Sequence, residues 1–267
     1  MDPTTASIDT AAAQLKRKLR QRKPLFAGWT SLAHPSITEI LTGMEVDFIG
    51  IDLEHSTINQ EQAQRIIAAS QSHGVPCLPR LPSHDGSPIR RLLDSGADGI
   101  IVPNVTHIAQ VEEIANSLLY PPVGKRSYGV ARAQGYGFDF DRYVSGWNRR
   151  SIFLIQIESQ EGVEAVEALV SHPAVDGAMV GPYDLSGSLG IPGQLSHPLV
   201  QSACRAVSRV CRARGKACGT QLVDPTATQV RAAFRAGYTF VVLGSDVFTL
   251  WKWAQRMRGF TRGPRRG

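Results

Sequence analysis

Two carboxylates, Glu158 and Asp184, sit where this chain's residue types could do chemistry. They belong to the stretch 151–190, SIFLIQIESQEGVEAVEALVSHPAVDGAMVGPYDLSGSLG, which reads as strand, helix, strand and loop. The apolar runs 152–157 and 175–180 are too short for helices and too unbroken for half-solvated strands, so both read as buried parallel strands. Each carboxylate then lies just beyond a strand, and parallel strands deliver both to one rim. Two acidic oxygens there suit a hard divalent cation such as magnesium or manganese, with water filling the remaining positions. The same residue types also serve as a helix cap at Glu158 and a turn former at Asp184.

The elements that must position this pair alternate along the chain. Strands are predicted at 26–29, 48–52, 75–78, 99–102, 152–157, 175–180, 217–221 and 239–243. Helices are predicted at 35–44, 60–72, 88–94, 107–118, between the fifth and sixth strands, and at 200–214, 226–236 and 247–257. Eight strand–helix units in roughly 230 residues fit a closed (β/α)8 TIM barrel better than an open doubly wound sheet. In such a barrel, catalytic groups gather where strands end. Asp52, Glu54 and His55 fall at the end of the second strand, Arg80 the third and Asn104 the fourth. Gln156 and Glu158 mark the fifth, Asp184 the sixth, and Gln221 and Asp224 the seventh.

One segment breaks the rhythm. Residues 120–150, YPPVGKRSYGVARAQGYGFDFDRYVSGWNRR, are far longer than a usual helix-to-strand connection, and long loops tend to be functional or disordered. Its glycines and aromatics predict an ordered flap with a short helix near 139–147. The flap lies on the helix-to-strand side, so it reaches an active-site rim only by crossing a subunit interface, which points to a homo-oligomer.

Composition bounds the alternatives. The 267 residues carry a net charge of +6, but residues 1–23 hold six Lys/Arg and residues 256–267 five, leaving 18 basic and 21 acidic residues between. The excess positive charge therefore lies at the ends. These read as a basic leader (1–24), solvated or disordered, and a basic tail (259–267) flanking a barrel at 25–258, and no nucleic-acid function is assigned. No apolar run approaches membrane-spanning length and the polar start MDPTTASIDT lacks a signal-peptide core, so a soluble cytoplasmic protein without a membrane partner is expected. The four cysteines show neither a CxxC pair nor zinc spacing, which favours reduced buried thiols.

A divalent metal on Glu158 and Asp184, with Arg80 nearby, suits a 2-oxo acid. The metal can chelate its keto and carboxylate oxygens while the guanidinium pairs with the oxygen that becomes negative on enolisation. His55 is the natural proton handler at neutral pH. Imine chemistry lacks its lysine: none of Lys16, Lys18, Lys23, Lys125, Lys216 and Lys252 follows a strand. GxGxxG, GxxxxGK[ST] and GxSxG are likewise missing, which removes nucleotide-binding and serine-hydrolase readings.

Seven blocks, IDLEHS (51–56), PRLP (79–82), LLDSGADGIIVP (92–103), YPPVGKRSYG (120–129), QIES (156–159), GPYDLSGSLG (181–190) and VDP (223–225), resemble the HpcH/HpaI family of metal-dependent pyruvate aldolases. The resemblance spans about residues 25–250 in the family's order. It implies a class II aldolase of the phosphoenolpyruvate/pyruvate barrel superfamily, hexameric, with the last helix exchanged between barrels. Such an enzyme reversibly cleaves a 4-hydroxy-2-oxo acid to pyruvate and an aldehyde through a metal-stabilised enolate.

By position, Glu158 and Asp184 match the metal ligands for Mg²⁺, Mn²⁺ or Co²⁺. Arg80 matches the pyruvate-binding arginine, Gln156 a pyruvate contact, and His55 with Asp94 the acid/base dyad. Asp52 fits a supporting position near the metal waters, and Gly181 and Gln221 complete the expected substrate-binding set.

Ser127, Tyr183 and Gln221 depart from the family pattern and bear on the second substrate. An unpaired amide at Gln221 would favour hydroxylated aldehydes. A citrate-forming condensation and a macrophomate synthase-like reaction are the alternatives that keep the same enolate chemistry. A non-catalytic scaffold that docks a partner through the basic ends is the alternative of another class.

Overall fold

The computed structural model describes residues 10–262. After helix α1 (Ala11–Arg20), strands β1 (Leu25–Thr30), β2 (Phe48–Asp52), β3 (Cys77–Arg80) and β4 (Gly99–Val102) alternate with α2 (Pro35–Thr42), α3 (Gln60–Ser72), α4 (Gly86–Asp94) and α5 (Ile108–Leu118). The flap contributes a short 3₁₀ segment (Arg132–Gly137) and α6 (Phe140–Arg150). Then come β5 (Ile152–Ile157), α7 (Gln160–Ser171), β6 (Gly177–Val180), α8 (Pro182–Ser188) and α9 (Pro198–Ala213). β7 (Ala217–Leu222), α10 (Ala227–Arg235), β8 (Phe240–Leu243) and α11 (Asp246–Arg262) close the order. All strands pair in parallel from β1 through β8, and β8 returns to β1, closing the (β/α)8 barrel.

Alternation along each strand produces two cores, because successive strand residues face opposite sides. Leu25, Ala27, Trp29, Phe48, Leu78, Ile101, Leu154, Met179, Phe240 and Val242 pack inside the barrel. Ile49, Ile51, Cys77, Ile100, Val102, Phe153, Ile155 and Val180 pack outward under the helices. Continuing the inward parity places Asp52 after Phe48, Arg80 after Leu78, and Gln156 after Leu154. The polar residues are thus the top inward layer of an otherwise apolar interior.

β3 lies two residues later than the pattern predicts, because Pro79 faces outward opposite Ile51 and does not interrupt the pairing.

From residue 10 onward the leader departs from the expectation of a solvated segment, and its residues 1–9 lie outside the described residues. Thr10 caps α1 by accepting from the Ala13 N–H at 3.2 Å, and Leu15 and Leu19 are buried among the inner core residues. Lys16, 5% exposed, pairs with Asp176 at 3.0 Å and donates to the Ser151 carbonyl. Arg20 approaches the other Asp176 oxygen at 3.4 Å. Ser151 and Asp176 immediately precede β5 and β6, so α1 corks the N-terminal mouth of the barrel. At the other end of the chain, the predicted basic tail begins inside α11 at 259–262, and its residues 263–267 lie outside the described residues.

The flap is ordered on the helix-to-strand side, as its composition predicts. Arg126 is buried at its centre, with its guanidinium 4.6 Å from the Tyr120 ring and 4.7 Å from the Trp147 ring. It donates to Asp94 at 2.8 Å. Among the described residues no helix is long and apolar enough to cross a membrane, and the four cysteines are free and buried.

Candidate active site

At the C-terminal mouth, β2 ends on Asp52 and β3 on Arg80, in register with each other. Arg80 is 9% exposed. Its Nε and Nη2 donate to Asp52 Oδ1 at 3.2 and 2.7 Å, and Nη1 lies 3.1 Å from Glu54 Oε2. That last contact is an ion pair off the hydrogen-bond direction, so Glu54 Oε2 is buried without a hydrogen-bond partner. Asp52 Oδ1 also accepts from the Glu54 and His55 N–H groups, which shapes the turn after β2. The Trp29 ring supports the guanidinium from below, 5.3 Å from its centroid. Trp29 in turn needs Gly50 opposite it on β2, since a Cβ there would come within 2.3 Å of the ring.

Glu158 continues the inward parity beyond β5. Its Oε1 accepts from the Asn104 N–H at 2.7 Å and its Oε2 from Gln156 Nε2 at 3.2 Å. Asn104 adopts a φ of 45°, a left-handed conformation asparagine tolerates, and its N–H meets the carboxylate from there. Among the described residues Gln156 Oε1 is buried without a partner. Asp184 comes from the first turn of α8. The place where a Cβ of Gly181 would stand lies 2.8 Å from Glu158 Oε2 and 3.8 Å from Asp184 Oδ2, so the missing side chain leaves room between the two carboxylates.

Charge is unevenly compensated here. Burial, then the Glu54 charge, with Asp184 adding to it, push the Glu158 carboxyl up to about 7. Burial also raises Glu54, against the pull of Arg80 and His55. Burial would raise Asp52 as well, but Arg80 and the His55 N–H hold it below its ordinary value. The donor set fits a hard divalent ion: two carboxylates, a buried orphan amide oxygen, and surplus negative charge that burial makes costly. Among the described residues no three His, Cys, Asp or Glu side chains group so as to hold a metal ion by themselves.

Sequence reasoning and structure agree in bringing Asp52, Arg80, Gln156, Gly181, Asp184 and Gln221 together with His55 around one cavity, with Glu158 adjoining. They part over the dyad. Asp94 ends α4 at the opposite end of the barrel and pairs with Arg126. His55 is exposed at the rim, its Nε2 3.8 Å from Glu54 Oε2. One chain therefore does not assemble a His55–Asp94 pair.

Gln221 also corrects its expectation: Nε2 donates to the Gly244 carbonyl at 3.2 Å, so the amide is not left unpaired. Sequence reasoning assigned no role to Trp29 or Glu54. Gly50 inside a strand was the available signal for Trp29, since such glycines mark close approach.

Carboxylates crowded around one guanidinium at the C-terminal mouth of a closed barrel define an enzyme site rather than a scaffold. The chain belongs to the HpcH/HpaI aldolase/citrate lyase family, whose model matches residues 26–252, and it is a lyase. It is 33% identical to a hydroxypyruvate/pyruvate aldolase of Roseobacter denitrificans, over 88% of this chain and 91% of that protein. It is also 33% identical to a 5-keto-4-deoxy-D-glucarate aldolase of Citrobacter koseri, over 90% and 93%. A crystal structure of a family protein from Burkholderia cenocepacia superposes with a TM-score of 0.86 at 28% identity, covering 94% of this chain and all of that one.

Proposed function

We propose that the protein is a divalent-metal-dependent aldolase that reversibly cleaves a 4-hydroxy-2-oxo acid into pyruvate and an aldehyde. The observation that carries this reading is the under-compensated acidic cluster, in which Arg80 draws on both Glu54 and Glu158 while the Asp184 charge works against it at each. The aldolase names of both relatives support the same reaction class.

Glu158 and Asp184 would hold the ion, magnesium, manganese or cobalt. When bound it supplies Lewis-acid polarisation of the keto oxygen. The chain's own groups do the rest. Trp29 and Asp52 fix the plane of Arg80, so its fork meets the negative charge developing on the keto oxygen without reorganising. Gln156, buried at the same layer, orients the 2-oxo acid. His55 at the rim takes the proton of the C4 hydroxyl during cleavage.

Asp94 can orient a histidine only in a second copy of the chain, so a homo-oligomer, read as a hexamer, is part of this proposal. Exposed Tyr128, Tyr136 and Phe138 on the flap give such a contact apolar surface. The protein is read as cytoplasmic.

The test is oxaloacetate decarboxylation and pyruvate proton exchange with and without a chelator. Both should vanish on chelation and return with Mn²⁺, and borohydride with pyruvate should trap no adduct. Chelator-insensitive turnover, or a trapped imine, overturns the reading.

A further inference from the structure

The site opens into a cavity of about 610 Å³, within the range of small-molecule pockets. Its inner end is the acidic cluster, and its outer wall is of another character. Tyr183 on α8, Leu195 before α9, Val223 after β7, and Val247 and Phe248 in the first turn of α11 line it. These side chains come from four separate segments, and all are apolar or aromatic. Tyr183, Leu195, Val223 and Val247 are 40–66% exposed, so a bound molecule would remove apolar surface from water.

Three polar groups beside this wall already have partners. Gln221 donates to the Gly244 carbonyl, Ser245 Oγ accepts from the Phe248 N–H at 3.2 Å, and the Ser31 N–H is held by Asp246. Among the described residues Arg80 is the one lysine or arginine lining the cavity, and Asp52 and Glu54 hold it at the inner end. A second carboxylate at the far end of an acceptor would therefore meet apolar side chains, with Asp184 close by and, among the described residues, no lysine or arginine other than Arg80 to pair with. Such a group costs free energy to desolvate.

We infer that the acceptor is an aldehyde with an apolar or aromatic tail and no second charged group. The inference rests on the aldolase reading and specifies the substrate class of that same site.

The test uses the full chain with pyruvate, a divalent metal and a panel of aldehydes. From propanal to hexanal, kcat/KM should rise about fourfold per methylene. Succinic semialdehyde should fall about 100-fold below pentanal. Val247→Lys and Val223→Lys each add a cation to the wall from a different segment. Each should raise the semialdehyde-to-pentanal ratio about tenfold or more, and a ratio within one variant cancels any loss of folded enzyme.

A flat homologous series, a wild-type preference for the semialdehyde, or ratios unmoved by both lysines overturns the inference. Deuterium exchange at pyruvate C3, measured without any aldehyde, separates the two levels. Exchange with the wrong acceptor ranking overturns the inference alone, whereas absent exchange overturns the aldolase reading and the inference with it.

Discussion

The two mouths of the barrel treat buried charge in opposite ways. At the N-terminal mouth, Asp176 receives Lys16 and the Phe153 N–H on one oxygen and Arg20 on the other. Lys216 and Arg22 finish on backbone carbonyls, and Leu15 and Leu19 exclude water. At the C-terminal mouth the charges do not balance: Glu158 is driven to about 7 and, among the described residues, Gln156 Oε1 has no partner. Charges that the chain compensates serve the fold. Those it leaves over are available to a ligand.

The largest expected effect lies at the closed mouth. Lys16→Met leaves Asp176 buried without its main partner and should lower the unfolding free energy by about 3–5 kcal/mol in urea titrations, with Lys16→Met/Asp176→Asn recovering much of it. A loss below about 1 kcal/mol, the scale of an exposed pair, would break the comparison.

Arg80→Lys is the counterpart at the open mouth. It should cost about 10²–10³ in kcat, roughly 2.7–4 kcal/mol of transition-state stabilisation, because a point charge cannot replace the fork. Thermal stability should barely change, and a parallel collapse of Tm would show that Arg80 holds the fold instead.

The mouths should also respond to pH with opposite sign. In metal-free protein the folded state keeps the Glu158 proton up to about 7, whereas the unfolded carboxyl loses it near 4.5. The associated stability is full below 4.5 and is lost as pH rises toward 7, by about 2–3 kcal/mol. Glu158→Gln should flatten that decline, and Mn²⁺ should offset it near pH 7. Burial lowers Lys16, so its contribution grows as pH approaches the ordinary lysine value of 10.5. Denaturation midpoints across pH check both signs. The smallest effect belongs to neither mouth: Arg65→Ala removes an exposed pair with Glu61 and should change stability by about 0.5 kcal/mol or less.

The barrel was legible because a two-residue period and regular helix spacing carry it. Asp52, Arg80, Gln156 and Gln221 were legible for the same reason, since each falls at a strand end on the inward parity. Asp184 was found from its place beyond a strand, although α8 is what carries it.

What the pattern could not convey was pairing across long sequence separation. A basic helix looks solvated until Asp176, 160 residues away, is known to receive Lys16. Similarly, Asp94 belongs to a block that resembles the family's, yet helix direction sends it away from its own His55. Gln221 looked unpaired because a backbone carbonyl 23 residues away leaves no mark in composition.

The cork at the N-terminal mouth also bears on how the chain is made. Leu15 and Leu19 dock among residues contributed from β1 through β8, so this helix, which precedes every strand in the chain, has no complete seat until the last strand has joined. Through most of synthesis it must wait as a short basic helix with an apolar stripe, while the barrel closes by slow long-range pairing. In refolding, α1 amides should therefore gain protection from hydrogen exchange after those of β1 and β2; protection of α1 in the earliest phase would show that it seats on a partial barrel.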